Sequence, residues 1–299
     1  MHPIHVFGSI NIDISAQTNR YPKQGETIHG ESLELSGGGK GANQALAAHL
    51  LGGDVTLHGC TGNDAFAKAA VKTLKENDLP LDHVITLEHT TTGSALITRS
   101  KRDNRIIVIG GANMAWEMSM VPHSFEKNAI VMIQNEIPEP INARIMERAH
   151  ASGATVIYDP APARHFDTSL YRTIDFFTPN KTEAEKLSGM RLNTTHDLKK
   201  ALHYFYDLGV RVPIITLGDK GLVYLDQGVY KYLKPLLVDA VDTTAAGDAF
   251  CGALARVMSE KGHLEDAVDY ARKASAYATT RAGAQQSMPT TATMRRPLV

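Results

Sequence analysis

The chain alternates between runs spaced like strands and runs spaced like helices. Residues 4–7 form a short apolar run that stops at Gly8 and Ser9, as a core strand of an α/β sheet does. Residues 11–16 alternate polar and apolar, which predicts a half-exposed strand with Asn11 and Asp13 on one face. A second alternating run, 27–35, follows turn-forming residues at 21–26, and 94–98 with 105–109 reads as a hairpin around 100–104. These pieces predict a small antiparallel sheet inserted after the first core strand. From residue 55 a βαβ rhythm takes over. Strands are expected at 55–60, 84–87, 130–134, 155–158, 174–177 and 212–217, and helices at 65–77, 140–151, from 180 onward, 198–208 and 264–280. The tail from 290 shows no helical period.

Polar residues gather where the core strands end: Glu136, Asp159, Asn180, Glu183, Thr216 and Asp219. Ligands of open α/β sheets bind at that edge. One polar residue there would be chance, whereas a series marks a binding edge.

The stretch with the most chemistry is Val241-Asp242-Thr243-Thr244-Ala245-Ala246-Gly247-Asp248. Behind it Phe250, Leu254, Val257 and Met258 recur at helical spacing, so a small-residue loop closes onto a helix N-terminus. Unpaired N–H groups and the helix dipole suit an anion there, and Ala245, Ala246 and Gly247 let a phosphate come close. Asp248 would be repelled by that phosphate, unless it takes a proton from a hydroxyl that attacks it. The plainer reading is an N-cap, among the commonest uses of Asp.

Upstream, Ser36-Gly37-Gly38-Gly39-Lys40-Gly41-Ala42-Asn43 reads as a glycine-rich loop opening an alanine-rich helix. Glu34 and Gly41 stand where a Walker-type loop needs Gly and then Ser or Thr, so that motif fails. Gly37, Gly39 and Ala42 meet a dinucleotide fingerprint loosely, but the run before them is amphipathic rather than buried. A backbone that approaches a polar ligand, with Asn43 able to donate and accept, explains more.

Composition narrows the partners. At 299 residues, 43% hydrophobic and 21% charged, the sequence is that of a globular protein with a substantial core. A net charge of −1 without a basic block argues against nucleic acid or an anionic membrane. No apolar stretch approaches the roughly 20 residues that span a bilayer, and the first residues do not read as a signal peptide. Cys60 and Cys251 stand apart from any metal or disulfide pattern, which fits a reduced, cytoplasmic setting.

With these residues in place, the chain resembles the ribokinase family of sugar kinases, from Gly8-Ser9-Ile10-Asn11-Ile12-Asp13 to about Pro289. Gly38-Gly39-Lys40-Gly41-Ala42-Asn43-Gln44-Ala45 is similar to the family's sugar-side signature. Asp159-Pro160-Ala161-Pro162-Ala163 and Thr178-Pro179-Asn180-Lys181-Thr182-Glu183 resemble its middle motifs, and the run from Asp242 to Asp248 its ATP-side signature. The resemblance implies one α/β domain, a Rossmann-like three-layer α/β/α sandwich. A small β-sheet lid (about 11–35 and 93–110) would pair with its copy in a homodimer.

It further implies ATP-dependent phosphorylation of D-ribose at the 5-hydroxyl. Asp248 would be the general base and the Ala245, Ala246 and Gly247 amides the anion hole. Asn11, Asp13, Gly38, Gly39, Lys40, Asn43 and Glu136 match sugar-contacting positions. Asn180, Thr216, Gly218, Asp219, Gly221 and Gly247 match positions that line the nucleotide, and Glu183 the residue that organises Mg2+ and phosphate. An activating monovalent cation, usually K+, would be held by Asp242 and Ser287 with carbonyls of Thr244, Ala278, Arg281 and Gly283. Two departures stand out: Arg272 replaces the Asn or His expected near the adenine, and the tail lacks the usual closing helix.

Two other activities fit less well. A kinase of the same family for 2-deoxyribose or a related pentose would place an apolar residue at Asn11, with one hydroxyl fewer to satisfy. A non-catalytic sugar sensor would be free to lose Asp248 or Asp242, and both are present.

Overall fold

The computed structural model describes residues 1–100 and 103–298. In chain order its strands are β1 (Ile4–Phe7), β2 (Asn11–Gln17), β3 (Ser32–Gly38), β4 (Val55–Gly62), β5 (Val84–Leu87), β6 (Gly93–Ser100), β7 (Asp103–Ile109), β8 (Ile130–Gln134), β9 (Thr155–Asp159), β10 (Phe176–Phe177), β11 (Val212–Thr216), β12 (Leu222–Asp226) and β13 (Val229–Leu233). The central sheet has the order β13-β12-β11-β10-β9-β8-β1-β4-β5. Pairing is parallel from β11 to β5, and β12 and β13 add an antiparallel edge. β8 is buried along its whole length, because both faces of a parallel sheet are covered. Helices Lys40–Leu50, Ala246–Met258 and Leu264–Thr279 pack on one face, and Glu139–Ala151, Lys181–Ser188 and Thr195–Asp207 on the other. The three-layer α/β/α expectation holds.

One packing detail positions the site. A Cβ on Gly252 would lie 2.6 Å from Ala47 Cβ and 2.8 Å from the Ala48 backbone nitrogen. Glycine therefore lets helix Ala246–Met258 press directly against helix Lys40–Leu50, and this brings the two motifs, distant in sequence, side by side.

Several expectations need correction. The second sheet, β3-β2-β6-β7, is mixed: β2 pairs antiparallel with β3 but parallel with β6. The chain passes through the core sheet between β2 and β6, and that passage sets the direction of β6. The glycine run is strand through Gly38, and Gly39 alone precedes the helix. The expected 65–77 helix breaks at Val71 into Ala65–Ala70 and Lys72–Glu76. Hairpin β12–β13 was not among the expected strands, and the tail contains a short helix, Thr291–Met294. The turn between β6 and β7, and Val299, lie outside the described residues. Among the described residues no helix is long and apolar enough to cross a membrane.

Within the sheet, His58 of β4 stands beside Phe7 of β1, stacks on it at 4.1 Å, and its Nε2 lies 3.2 Å from His5 Nδ1. Burial, then His5 and His83, push its pKa down to about 3. The unfolded chain therefore binds a proton near pH 6.5 that the folded chain refuses. Stability from His58 is complete above that pH and falls by up to about 1.4 kcal/mol per pH unit below it. His58→Gln is expected to flatten the acid side of a Tm-versus-pH curve; an unchanged slope would contradict this.

Candidate active site

Asp248 is the third residue of helix Ala246–Met258, whose N-cap position is Ala245, and no side chain caps that end. The N-cap reading of Asp248 therefore fails. Its carboxylate is only 4% exposed and accepts from Asn43 Nδ2 at 3.0 Å and Gln44 Nε2 at 3.1 Å, with Lys40 Nζ 3.7 Å away. Ala245 holds the left-handed conformation, φ 59°, which a non-glycine residue adopts at some cost. The Ala246 N–H makes a long 3.3 Å bond to the Thr243 carbonyl. Gly247 is exposed, a Cβ built on it meets nothing within 4 Å, and it lines a cleft with Lys40, Asp159, Asn180, Glu183 and Thr216.

On the other side of Asp248 lie the residues expected to touch sugar. The Lys40 N–H donates to Glu136 Oε2 at 3.0 Å, and the Ser9 hydroxyl donates to the same oxygen. Asn113 accepts from the Ile10 N–H at 2.9 Å and donates to Asn11 Oδ1 at 2.7 Å, which leaves Asn11 Nδ2 to donate elsewhere. Asn43 Oδ1 is buried and has no partner among the described residues. Such an acceptor calls for a ligand donor. A Cβ on Gly38 would stand 2.5 Å from both Asp13 carboxylate oxygens, so glycine is what lets Asp13 lie there.

The electrostatics follow from crowding carboxylates in a poorly solvated cleft. Burial and then Glu136 push Asp13 up to about 6, with Asp248 adding and Arg99 opposing. Burial pushes Asp159 up to about 7, against the pull of Lys40, with Asp248 and Glu183 adding. Burial works against the Lys40 charge, but Asp159, Asp248, Glu136 and Glu183 outweigh it and hold the ammonium protonated.

Further along the edge, Asn180 and Glu183 form a reciprocal capping box: Asn180 Oδ1 accepts from the Glu183 N–H at 2.9 Å, and Glu183 Oε2 from the Asn180 N–H at 2.8 Å. Asn180 also bridges to Thr216. Gly218, Asp219 and Gly221 sit in the turn between β11 and β12 and do not line the cleft that holds Gly247. Arg272 is committed elsewhere, to the Lys234 carbonyl and to Asp269 on its own helix. Asp242 ties two loops together: Oδ1 accepts from the Thr244 N–H at 2.9 Å and hydroxyl at 2.6 Å, and Oδ2 from the Gly283 N–H at 3.0 Å. Burial raises its pKa, but these bonds outweigh burial and leave the carboxyl below its ordinary range. Ser287 is buried with its hydroxyl on the Ala284 carbonyl at 2.8 Å, and the Arg281 N–H reaches the Ala278 carbonyl at 3.4 Å.

Sequence reasoning missed Ser9, Gln44 and Asn113, and gave Asp159 no role. Gln44 and Asp159 stood inside quoted motifs. Asn113 had no signal of its own.

A buried carboxylate beside an open helix N-terminus, with a polar cleft and a cluster of hydrogen-bonding side chains next to it, is the equipment of a small-molecule kinase. The chain belongs to the pfkB family of carbohydrate kinases, whose model matches residues 1–291. It is 36% identical over 292 residues to a ribokinase of Staphylococcus aureus, covering 95% of each chain. It is 32% identical over 291 residues to a deoxyribokinase of Salmonella typhi, covering 96% of this chain and 95% of that one. The structure of Arabidopsis thaliana ribokinase complexed with ribose and ATP superposes with a TM-score of 0.88 at 33% identity, covering 98% of both chains.

Proposed function

We propose that this chain transfers the γ-phosphoryl group of ATP to the 5-hydroxyl of D-ribose, with Asp248 as the general base. The observation that carries the reading is the placement of Asp248: buried, held by two amides, and aimed away from the N–H groups of its own helix. Asn11, Asp13, Asn43 and Glu136 would bind the sugar hydroxyls, and Gly38, Gly39 and Lys40 would shape the backbone beside them. The open start of helix Ala246–Met258 would receive the transferring phosphoryl, and Asn180, Glu183 and Thr216 would line the nucleotide phosphates. The turn at Gly218, Asp219 and Gly221 would flank the nucleotide. Arg272 would stand near the adenine with its guanidinium held by the Lys234 carbonyl and Asp269.

The residues present fit the two implied ions. Glu183 spends one oxygen on its capping bond, and bound Mg2+ would neutralise phosphate charge beside the other. The set of Asp242, Ser287 and the carbonyls of Thr244, Ala278, Arg281 and Gly283 is oxygen only, as a hard cation such as K+ requires. Asp242 accepts three hydrogen bonds and keeps lone-pair capacity for such an ion. The sheet β3-β2-β6-β7 would be the lid of this domain. Leu35, Leu96 and Ile107 lie exposed on its face opposite Asp13, an apolar surface suited to a second copy of the chain. The buried thiols Cys60 and Cys251 suit the reduced cytoplasm.

Two tests arise here. Gly247→Ala adds a methyl that meets no protein atom but projects into the cleft. The backbone N–H is kept, so Tm is expected to hold while crowding by the methyl lowers kcat about 10²-fold, as much as the loss of one oxyanion-type contact. Full activity would remove Gly247 from the phosphoryl path. The second test separates ribose from 2-deoxyribose. One buried donor left unpaired costs about 1–3 kcal/mol, so kcat/KM should favour D-ribose by about tenfold to a hundredfold through Asn11. A preference for 2-deoxyribose would keep the kinase and overturn the sugar assignment.

A further inference from the structure

Resting on the reading of Asn11 as a contact to the sugar, we propose that Asn113 is a positioning residue for sugar specificity: it turns Asn11 so that this side chain can only donate into the sugar site, and that polarity favours ribose over 2-deoxyribose. Asn113 lies in the short helical turn Gly111–Met114 that follows β7, and Asn11 is the first residue of β2. Both are buried, at 2% and 3% exposure.

The polarity starts from the main chain. The Ile10 N–H donates to Asn113 Oδ1 at 2.9 Å, so that side-chain atom has to be the oxygen. Asn113 Nδ2 then donates one hydrogen to the Ile10 carbonyl at 3.3 Å and the other to Asn11 Oδ1 at 2.7 Å. A flipped Asn113 would set its NH2 against a backbone N–H, and a flipped Asn11 would set NH2 against NH2. A backbone group cannot be turned over, so the relay from Ile10 through Asn113 to Asn11 has one arrangement. It ends on Asn11 Nδ2, directed away from Asn113. A Cβ on Gly93 would collide with both Asn113 Nδ2 and Asn11 Oδ1, so glycine at the start of β6 is what leaves room for their bond. Asn11 and Asp13 stand two positions apart on β2 and share a face. An ionised Asp13 only accepts. A sugar hydroxyl between the two gives its hydrogen to Asp13 and takes one from Asn11. With the Asn11 amide reversed, the same hydroxyl would meet two acceptors.

The test is kcat and KM for D-ribose and for 2-deoxyribose, with Tm, in the unaltered enzyme, Asn113→Asp, Asn113→Ala, Asn11→Ala and the Asn11→Ala/Asn113→Ala double variant. Assays at about pH 9 ionise the carboxyl introduced by Asn113→Asp. It still accepts from the Ile10 N–H but cannot donate to Asn11, which then turns its Nδ2 inward and its oxygen to the sugar. The ribose preference in kcat/KM is expected to fall about tenfold. The change should lie in KM for D-ribose, with KM for 2-deoxyribose and both kcat values little altered. Asn113→Ala is expected to lower the preference too, and to lower it no further once Asn11 is replaced. Asn113→Asp keeps the shape and the bond to Ile10, so it decides alone if Asn113→Ala does not fold. Variants at Asn113 that weaken both sugars alike overturn the proposal, as does a further fall in preference in the double variant. An unaltered enzyme that does not prefer ribose overturns the sugar assignment beneath it, so the two failures are distinguishable.

Discussion

Asp248→Asn is expected to lower kcat by about 10²–10⁴-fold, the usual worth of a general base. The amide cannot take the hydroxyl proton. It also turns an acceptor into a donor opposite Asn43 Nδ2 or Gln44 Nε2, both of which now donate to the carboxylate. One of those donors is left unpaired at about 1–3 kcal/mol, partly offset because a buried negative charge near Asp159 and Asp13 is gone. Binding of nucleotide and sugar should persist. Single-turnover kinetics beside a thermal melt check both halves, and turnover near the unaltered rate would remove Asp248 from the chemistry.

Lys40→Met carries the second large effect, on stability as much as on rate. Lys40 is the ammonium between Asp159 and Asp248, and its side chain is 28% exposed to the cleft. Removing one partner of a buried ion pair costs about 3–5 kcal/mol, and the partial exposure places this case at the low end. The loss should ease at low pH, because Asp159 is then protonated and no longer needs a counter-charge. Denaturant melts at pH 5 and pH 8 test this: the variant should fall further behind the unaltered protein at pH 8. An equal deficit at both values would mean that Lys40 contributes packing rather than charge.

The core was legible because burial on both faces of a parallel sheet leaves continuous apolar runs, as in β1 and β8. The small sheet was legible as strands but not in direction, since polar and apolar positions alternate alike in parallel and antiparallel strands. Hairpin β12–β13 has its own signal: Gln227 and Gly228, both at positive φ, divide two short runs. The βαβ rhythm conceals it. Around the site, Asp248 and the small residues before it carried a readable chemistry, because few other jobs suit that combination. Gln44 did not. Its bond to Asp248 spans 204 positions and exists only because Gly252 lets two helices touch. Arg272 shows the reverse limit: a position carried over by resemblance, whose guanidinium is occupied by Lys234 and Asp269.

The most direct test of the central claim is a coupled ADP-release assay with MgATP and D-ribose, in K+ and in Na+, with the phosphorylated product identified by 31P NMR. Turnover that yields D-ribose 5-phosphate, faster in K+, is the predicted result. ADP release that does not depend on sugar, or tight sugar binding with no phosphorylated product from any pentose, would contradict it.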